Sequence, residues 1–239
     1  MIKIFRLSLL MICLYSFHSV DCLERKLAFV RHGTTDWNWR DFAGGMKDLP
    51  VNKLGEEHAK EASESLFNSG FTLPKAIVSS PLLRCKQTAK IIQGYYLNKL
   101  GIRIPVLIQP EVQGPIYGKW TQETYQNVGE LVKEVESLGL DEFASKNLLV
   151  EKLRDVLPGD EESEEKFLLR ICKAVDSIMN QYDEVIVVSH GSSSEAYLKS
   201  LNMFDNIHPD YWKSKNRFPL IITEELEVKS VFAIFREAP

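Results

Sequence analysis

The sequence predicts an α/β protein with a mostly parallel central sheet. Three observations predict it. Short apolar runs of strand character alternate with longer runs of helical periodicity from about residue 25 onward, the order in which helical crossovers build a parallel sheet. The apolar runs are continuous, as suits strands covered on both faces. Two of them end in a His-Gly pair: His32-Gly33 after KLAFVR, and His190-Gly191 after EVIVVS. In such sheets, ligands sit beyond the carboxyl ends of the strands.

The elements follow in chain order. Lys26–Val30 is a short apolar run bounded by charge, and Leu54–Phe67 has helical periodicity. Ala76–Ser79 reads as a strand. Ser80-Pro81 then reads as a helix start, with serine as the N-cap and proline in the first turn, and the helix runs to about Tyr96. Pro105–Gln109 is another short strand. Glu161–Tyr182 is amphipathic and acidic at its start, as a helix N-terminus prefers. Glu184–Ser189 is the strongest strand pattern, and Pro219–Thr223 and Val228–Phe235 are β-rich.

The chain has 239 residues, enough for one domain with a sizeable core. Its apolar share of 44% and charged share of 26% are those of a soluble globular protein. A net charge of −4 gives no general basic patch, which argues against a nucleic-acid partner. The start differs from the rest. Lys3 and Arg6 precede an apolar run from Leu7 to Tyr15, broken only by Ser8, and small and polar residues follow to Cys22. This is the three-part pattern of a secretory signal peptide, too short to span a bilayer. The expectation is a signal peptide at residues 1–22, a domain at 23–239, a secreted or periplasmic protein, and no membrane partner after signal removal. Cys85 and Cys172 then remain. Each lies in a helical pattern and reads as a small core residue, though a bridge between them stays open.

Three constellations carry chemistry. In Arg31-His32-Gly33-Thr34-Thr35-Asp36-Trp37-Asn38, a histidine at a strand end stands beside an arginine. A ring nitrogen can attack phosphorus and split phosphoryl transfer into two displacements. Arginine offers fork-like donors to phosphate oxygens, and glycine lets the backbone approach a ligand. In Ser80-Pro81-Leu82-Leu83-Arg84-Cys85-Lys86-Gln87-Thr88, Arg84 falls in the first turn of a helix, where the amides and the dipole favour an anion. In Val187-Val188-Ser189-His190-Gly191, a buried strand delivers a second histidine to the same sheet edge. Protonated, it stabilises a transferring phosphoryl group. Taken singly, a lone His-Gly pair reads better as a capped core histidine, and Arg84 as a surface arginine.

Together, Arg31-His32-Gly33 with Thr35-x-x-Asn38, Ser80-Pro81-Leu82-x-Arg84-x-x-Gln87-Thr88 and Val188-Ser189-His190-Gly191 resemble the histidine phosphatase (phosphoglycerate-mutase-like) superfamily, over roughly residues 25–235. Gly45–Ala59, Tyr117-Gly118-Lys119-Trp120, and Glu162-Ser163 with Arg170 support the resemblance. It implies a three-layer α/β/α sandwich. It implies His32 as nucleophile, with Arg31, Arg84 and His190 completing a phosphate pocket and Gly33, Asn38 and Gly191 lining it. It also implies a phosphohistidine intermediate formed without metal or cofactor, from a small-molecule phosphate ester.

One position departs from the family. Members usually carry a glutamate, the general acid, three residues before an aromatic-Gly pair; here that position is Gly114. Glycine donates no proton, and general acid catalysis is worth roughly 10²–10⁴-fold. Glu111 is the favoured replacement, an acid from Asp160-Glu161-Glu162 is a second, and work without a dedicated acid is a third. A phosphoglycerate mutase, or a phosphate-binding domain with little turnover, remain the alternatives to a phosphatase. His58 reads as solvated on a charged helix face. His208 and the four tryptophans read as packing or pocket rim, and no Cys/His spacing suggests zinc.

Overall fold

In a computed structural model of the chain, residues 25–36, 48–116, 122–140, 162–204, 219–223 and 228–230 are described, with positions 144, 148, 151 and 152 besides. The elements in order are β1 (Lys26–Arg31), α1 (Lys53–Asn68), β2 (Ala76–Ser79), α2 (Leu83–Leu100) and β3 (Val106–Ile108). A 3-10 turn (Pro110–Val112) follows, then α3 (Gln122–Ser137), α4 (Glu164–Met179), β4 (Glu184–Ser189), α5 (Gly191–Ser200), β5 (Leu220–Thr223) and β6 (Val228–Ser230). The strands form one sheet in the order β3-β2-β4-β1-β5-β6. The first four run parallel, and β5 and β6 join antiparallel. The sheet is therefore mostly parallel, as expected.

The continuous apolar strands serve two cores, because successive side chains point to opposite faces. Leu27, Phe29, Val185 and Val187 face α4 and α5, meeting Phe167, Ile171, Val175 and Leu198. Ala28, Val30, Ile186 and Val188 face α1 and α2, meeting Leu66, Cys85, Ile92 and Tyr96. Each fully buried Ile, Leu or Phe contributes roughly 1.5–3 kcal/mol, so both helix layers are held by the same strands. The result is a three-layer sandwich. Cys85 is buried in α2 and Cys172 half-buried in α4, and both are free.

Local signals fix most helix ends. Asn52 caps α1, its side chain accepting from Gly55 N–H at 2.9 Å. Ser163 caps α4, with Glu164 and Glu165 in the first turn. Gly101 ends α2 at φ 70, a left-handed conformation that favours glycine. The start of α2 corrects the sequence reading. The helix begins at Leu83, with Leu82 as an N-cap that makes no side-chain cap bond. Ser80 still continues the sheet, donating its N–H to Val188 O at 3.0 Å. The Leu83 N–H is taken by Asp48 Oδ1 instead. Helices α3 and α5 are not among the elements expected from sequence. No helix among the described residues is long and apolar enough to cross a membrane.

Candidate active site

Strand register builds the site. β1 and β4 are parallel neighbours, with Arg31 opposite Ser189. The next residues, His32 and His190, therefore leave the sheet side by side, and the His32 N–H donates to Ser189 O at 2.9 Å. Their rings lie 5.2 Å apart, edge to face. Both are buried, at 6% and 8% exposure, and so is Arg84 at 4%.

The contacts assign the protons. His32 Nδ1 lies 2.9 Å from Gly33 O. A carbonyl only accepts, so the proton is on Nδ1 and the Nε2 lone pair is free. Burial, then the charges of His190, Arg31 and Arg84, hold His32 well below its ordinary value of 6.5, outweighing the Gly33 contact. His190 is held down by burial, then by Arg84, Arg31 and Arg170. Both rings are neutral in the resting site. No carboxylate is among the charges acting on either histidine from the described residues. Such a pocket is built for an anion.

The supporting contacts are backbone ties. The Gly33 N–H donates to Thr88 Oγ1 at 2.9 Å, and Thr88 donates to Arg84 O at 2.8 Å. Gln87 Oε1 accepts from Val51 N–H at 2.8 Å. The Gln-Thr end of the second motif thus fastens the chain after β1 to the helix that carries Arg84.

Gly33 has a packing role beyond the one read from the sequence. A Cβ there would lie 2.3 Å from Gly55 O, and one at Gly55 would lie 2.1 Å from Thr34 O. The two glycines let α1 touch the backbone beside the nucleophile, so the described neighbour of Gly33 is a helix. His58 also departs from expectation. It is half-buried, and its Nδ1 lies 2.9 Å from Thr34 Oγ1.

The segment before Tyr117 closes the site from α4's side. Gly114 is buried, and a Cβ on it would come within 3.2 Å of His190 Cγ. Arg170 of α4 holds this segment. Its Nη1 donates to the carbonyls of Glu111 and Gln113 at 2.8 and 2.9 Å, and its Nη2 to that of Gly114 at 3.1 Å. Arg170 also grips Glu162 through two bonds of 2.7 and 2.5 Å. The sequence offered Glu162 and Arg170 as a matched pair without this role.

The predicted site residues are thus distributed. Arg31 ends β1, Arg84 lies in the first turn of α2, and Gly191 opens α5, buried. Glu111 lies in the 3-10 turn with its residue exposed, and its recorded contact runs through its carbonyl. Glu162 is tied to Arg170. Burial alone would raise its pKa, but the Arg170 hydrogen bonds and charge prevail and hold it below the ordinary carboxylate range. Asn38, Asp160, Glu161, His208 and the four tryptophans lie outside the described residues. Among the described residues, no group of three His, Cys, Asp or Glu side chains is placed to hold a metal ion.

An α/β sandwich with two neutral histidines and arginines converging at parallel strand ends defines an enzyme of the phosphoryl-transfer class. The chain belongs to the histidine phosphatase superfamily (branch 1), whose family profile matches residues 27–218. The uncharacterized phosphatase PhoE of Bacillus subtilis is 26% identical over 178 residues, 74% of this chain and 77% of that one. A 2,3-bisphosphoglycerate-dependent phosphoglycerate mutase of Bradyrhizobium is 38% identical over 78 residues, 33% of this chain and 35% of the mutase. That match spans about a third of the mutase's length. In fold, the chain is similar to the mycobacterial glucosyl-3-phosphoglycerate phosphatase solved with VO3. The TM-score is 0.52 at 21% identity, covering 83% of this chain and 90% of that one.

Proposed function

We propose that the protein is a metal-independent phosphomonoesterase that works through a phosphohistidine on Nε2 of His32. The observation that carries this reading is the bond from His32 Nδ1–H to Gly33 O. It leaves the lone pair of Nε2 as the reactive one and turns that nitrogen away from the backbone. Arg31 and Arg84 meet the phosphoryl oxygens. The bound anion reverses the field on His190, which takes up a proton and donates it as a hydrogen bond to the phosphoryl group. The Nε2–P bond forms as the ester P–O bond breaks. Water then attacks phosphorus, the P–N bond breaks, and inorganic phosphate leaves.

The leaving group is the demanding part. Gly114 carries no acid, Glu162 is held by Arg170, and Glu111 points its backbone at Arg170 from an exposed turn. A phenolate departs without prior protonation far more readily than an alkoxide. Aryl phosphates are therefore the favoured substrates among small phosphate esters. The alternative of a phosphate-binding domain with little turnover rests on the same Gly114.

The test is phosphate release in the presence of EDTA, from an aryl phosphate beside several alkyl phosphates, with His32→Ala as control. Turnover of the aryl ester, lost in His32→Ala, with an acid-labile phosphoenzyme trapped by quenching, is the expected result. Phosphate binding without release from either ester would move the assignment to the binding domain. We also infer that residues 1–22 direct export and are removed. The charged start and short apolar run support this, and the N-terminal sequence of protein recovered outside the cytoplasm tests it.

A further inference from the structure

The reaction above leaves unused a chain of groups behind His190. Ser80 follows β2 and is fully buried, and its Oγ lies 3.1 Å from His190 Nε2. Cys85, also fully buried, brings its Sγ to 3.6 Å from the same nitrogen and 3.7 Å from Ser189 O. On the other side of the ring, Arg84 Nη2 lies 3.5 Å from His190 Nδ1.

The protons in this chain follow from the partners. A guanidinium only donates, so Nδ1 accepts and the ring proton sits on Nε2, facing Ser80. A carbonyl only accepts, so the Cys85 S–H points to Ser189 O. Ser80 Oγ also accepts from Leu82 N–H at 3.5 Å, so toward both neighbours it serves as an acceptor. Burial, above all, pushes the Cys85 thiol up to about 12, which keeps it a neutral member of the chain. The other tautomer, with Ser80 donating to Nε2, would set an Nδ1–H against the Arg84 guanidinium, two donors face to face.

We infer that Ser80 is a positioning residue for the reaction: it fixes His190 as the Nε2–H tautomer, so that the proton gained on binding phosphate sits on Nδ1, beside Arg84. Ser80 then stabilises the imidazolium by accepting its second N–H. The charged groups acting on His190 are Arg84 from α2, Arg31 from β1 and Arg170 from α4. All three oppose protonation, so Ser80 and the bound anion are what favour it. The kinetic consequence rests on the phosphatase reading; the tautomer does not.

The experiment has two arms on the full chain. In the first, histidine-labelled wild-type protein is examined by long-range ¹⁵N NMR without ligand. His32 is expected as the Nδ1–H tautomer and His190 as Nε2–H. Finding His190 as Nδ1–H overturns the inference. In the second, S80A is titrated in saturating inorganic phosphate. A hydrogen bond to a charged group is worth about one pKa unit, so the His190 titration is expected to move acid by about one unit. The descending limb of kcat against pH follows it, and kcat falls about tenfold at neutral pH. An unmoved His190 titration in folded S80A overturns the inference. If wild type releases no phosphate at all, the phosphatase reading fails while the NMR arms still decide this one.

Discussion

His32 and Arg84 draw their chemistry from contacts a single atom wide. Replacing His32 with alanine removes the nucleophile but leaves the arginines, so turnover should fall by roughly 10³-fold or more. Phosphate affinity, measured by calorimetry, should change only a few-fold. Retained turnover would place the nucleophile elsewhere. Arg84 is buried and reaches His190 with one arm of its fork. Arg84→Lys keeps the charge and loses the fork, so kcat/KM should drop about 10–100-fold with most of the change in KM. An unchanged KM would show that the charge alone matters. These residues were legible in the sequence because histidine and arginine at a strand end or helix start have few competing uses in combination. Ser80 was legible as a motif residue and misread as a cap. Its hydroxyl answers to His190, 110 positions away, and no local pattern encodes that distance.

Between elements, the site depends on a clasp and on a close approach. The Arg170–Glu162 pair is largely buried, with side chains 17% and 11% exposed. Removing one partner of a buried pair costs about 3 kcal/mol. Arg170 also holds the carbonyls of Glu111, Gln113 and Gly114, so Arg170→Met should destabilise by about 3 kcal/mol. Glu162→Gln, which keeps an acceptor, should lose only about 1 kcal/mol. Denaturant unfolding reads both, and equal losses would mean that the carbonyl contacts contribute nothing. The close approach is Gly33 on Gly55, where an added methyl group meets backbone 2.3 Å away. Such overpacking is expected to cost about 3 kcal/mol in Gly33→Ala. The strands and most helices were legible, because apolar runs bounded by charge or turn residues mark them. The antiparallel direction of β5 and β6 was not, since a buried strand reads alike in either direction. Gly33 was read as room for a ligand, and its nearest described neighbour is α1, placed there by the fold.

For the whole molecule, the register that joins β1 to β4 sets two histidines in a pocket with arginines, and among the described residues no carboxylate acts on either ring. That arrangement suits an anion and opposes protons. Both histidines are held well below 6.5 in the folded chain, by burial first and neighbouring positive charge next, whereas in the unfolded chain they titrate near 6.5. Between the depressed values and about 6.5, the unfolded chain binds more protons. Stability is therefore complete above that window and falls as pH drops through it. His58 is lowered as well, by burial first, so with three such groups the slope reaches at most about 4.1 kcal/mol per pH unit. Glu162, also depressed, acts in the same direction, but only below its ordinary 4.5; Glu184, raised by burial, acts the opposite way just above 4.5, so the fall below 6.5 belongs to the histidines. Unfolding in urea at pH 7.5, 6 and 5 should show the fall. His32→Ala should remove about a third of the maximal slope between pH 6.5 and 5, and added inorganic phosphate should flatten it further, because the bound anion lets His190 keep its proton. A stability that stays level from pH 7.5 to 5 would mean that the two rings are not held neutral, and that the pocket already carries counter-charge before substrate arrives.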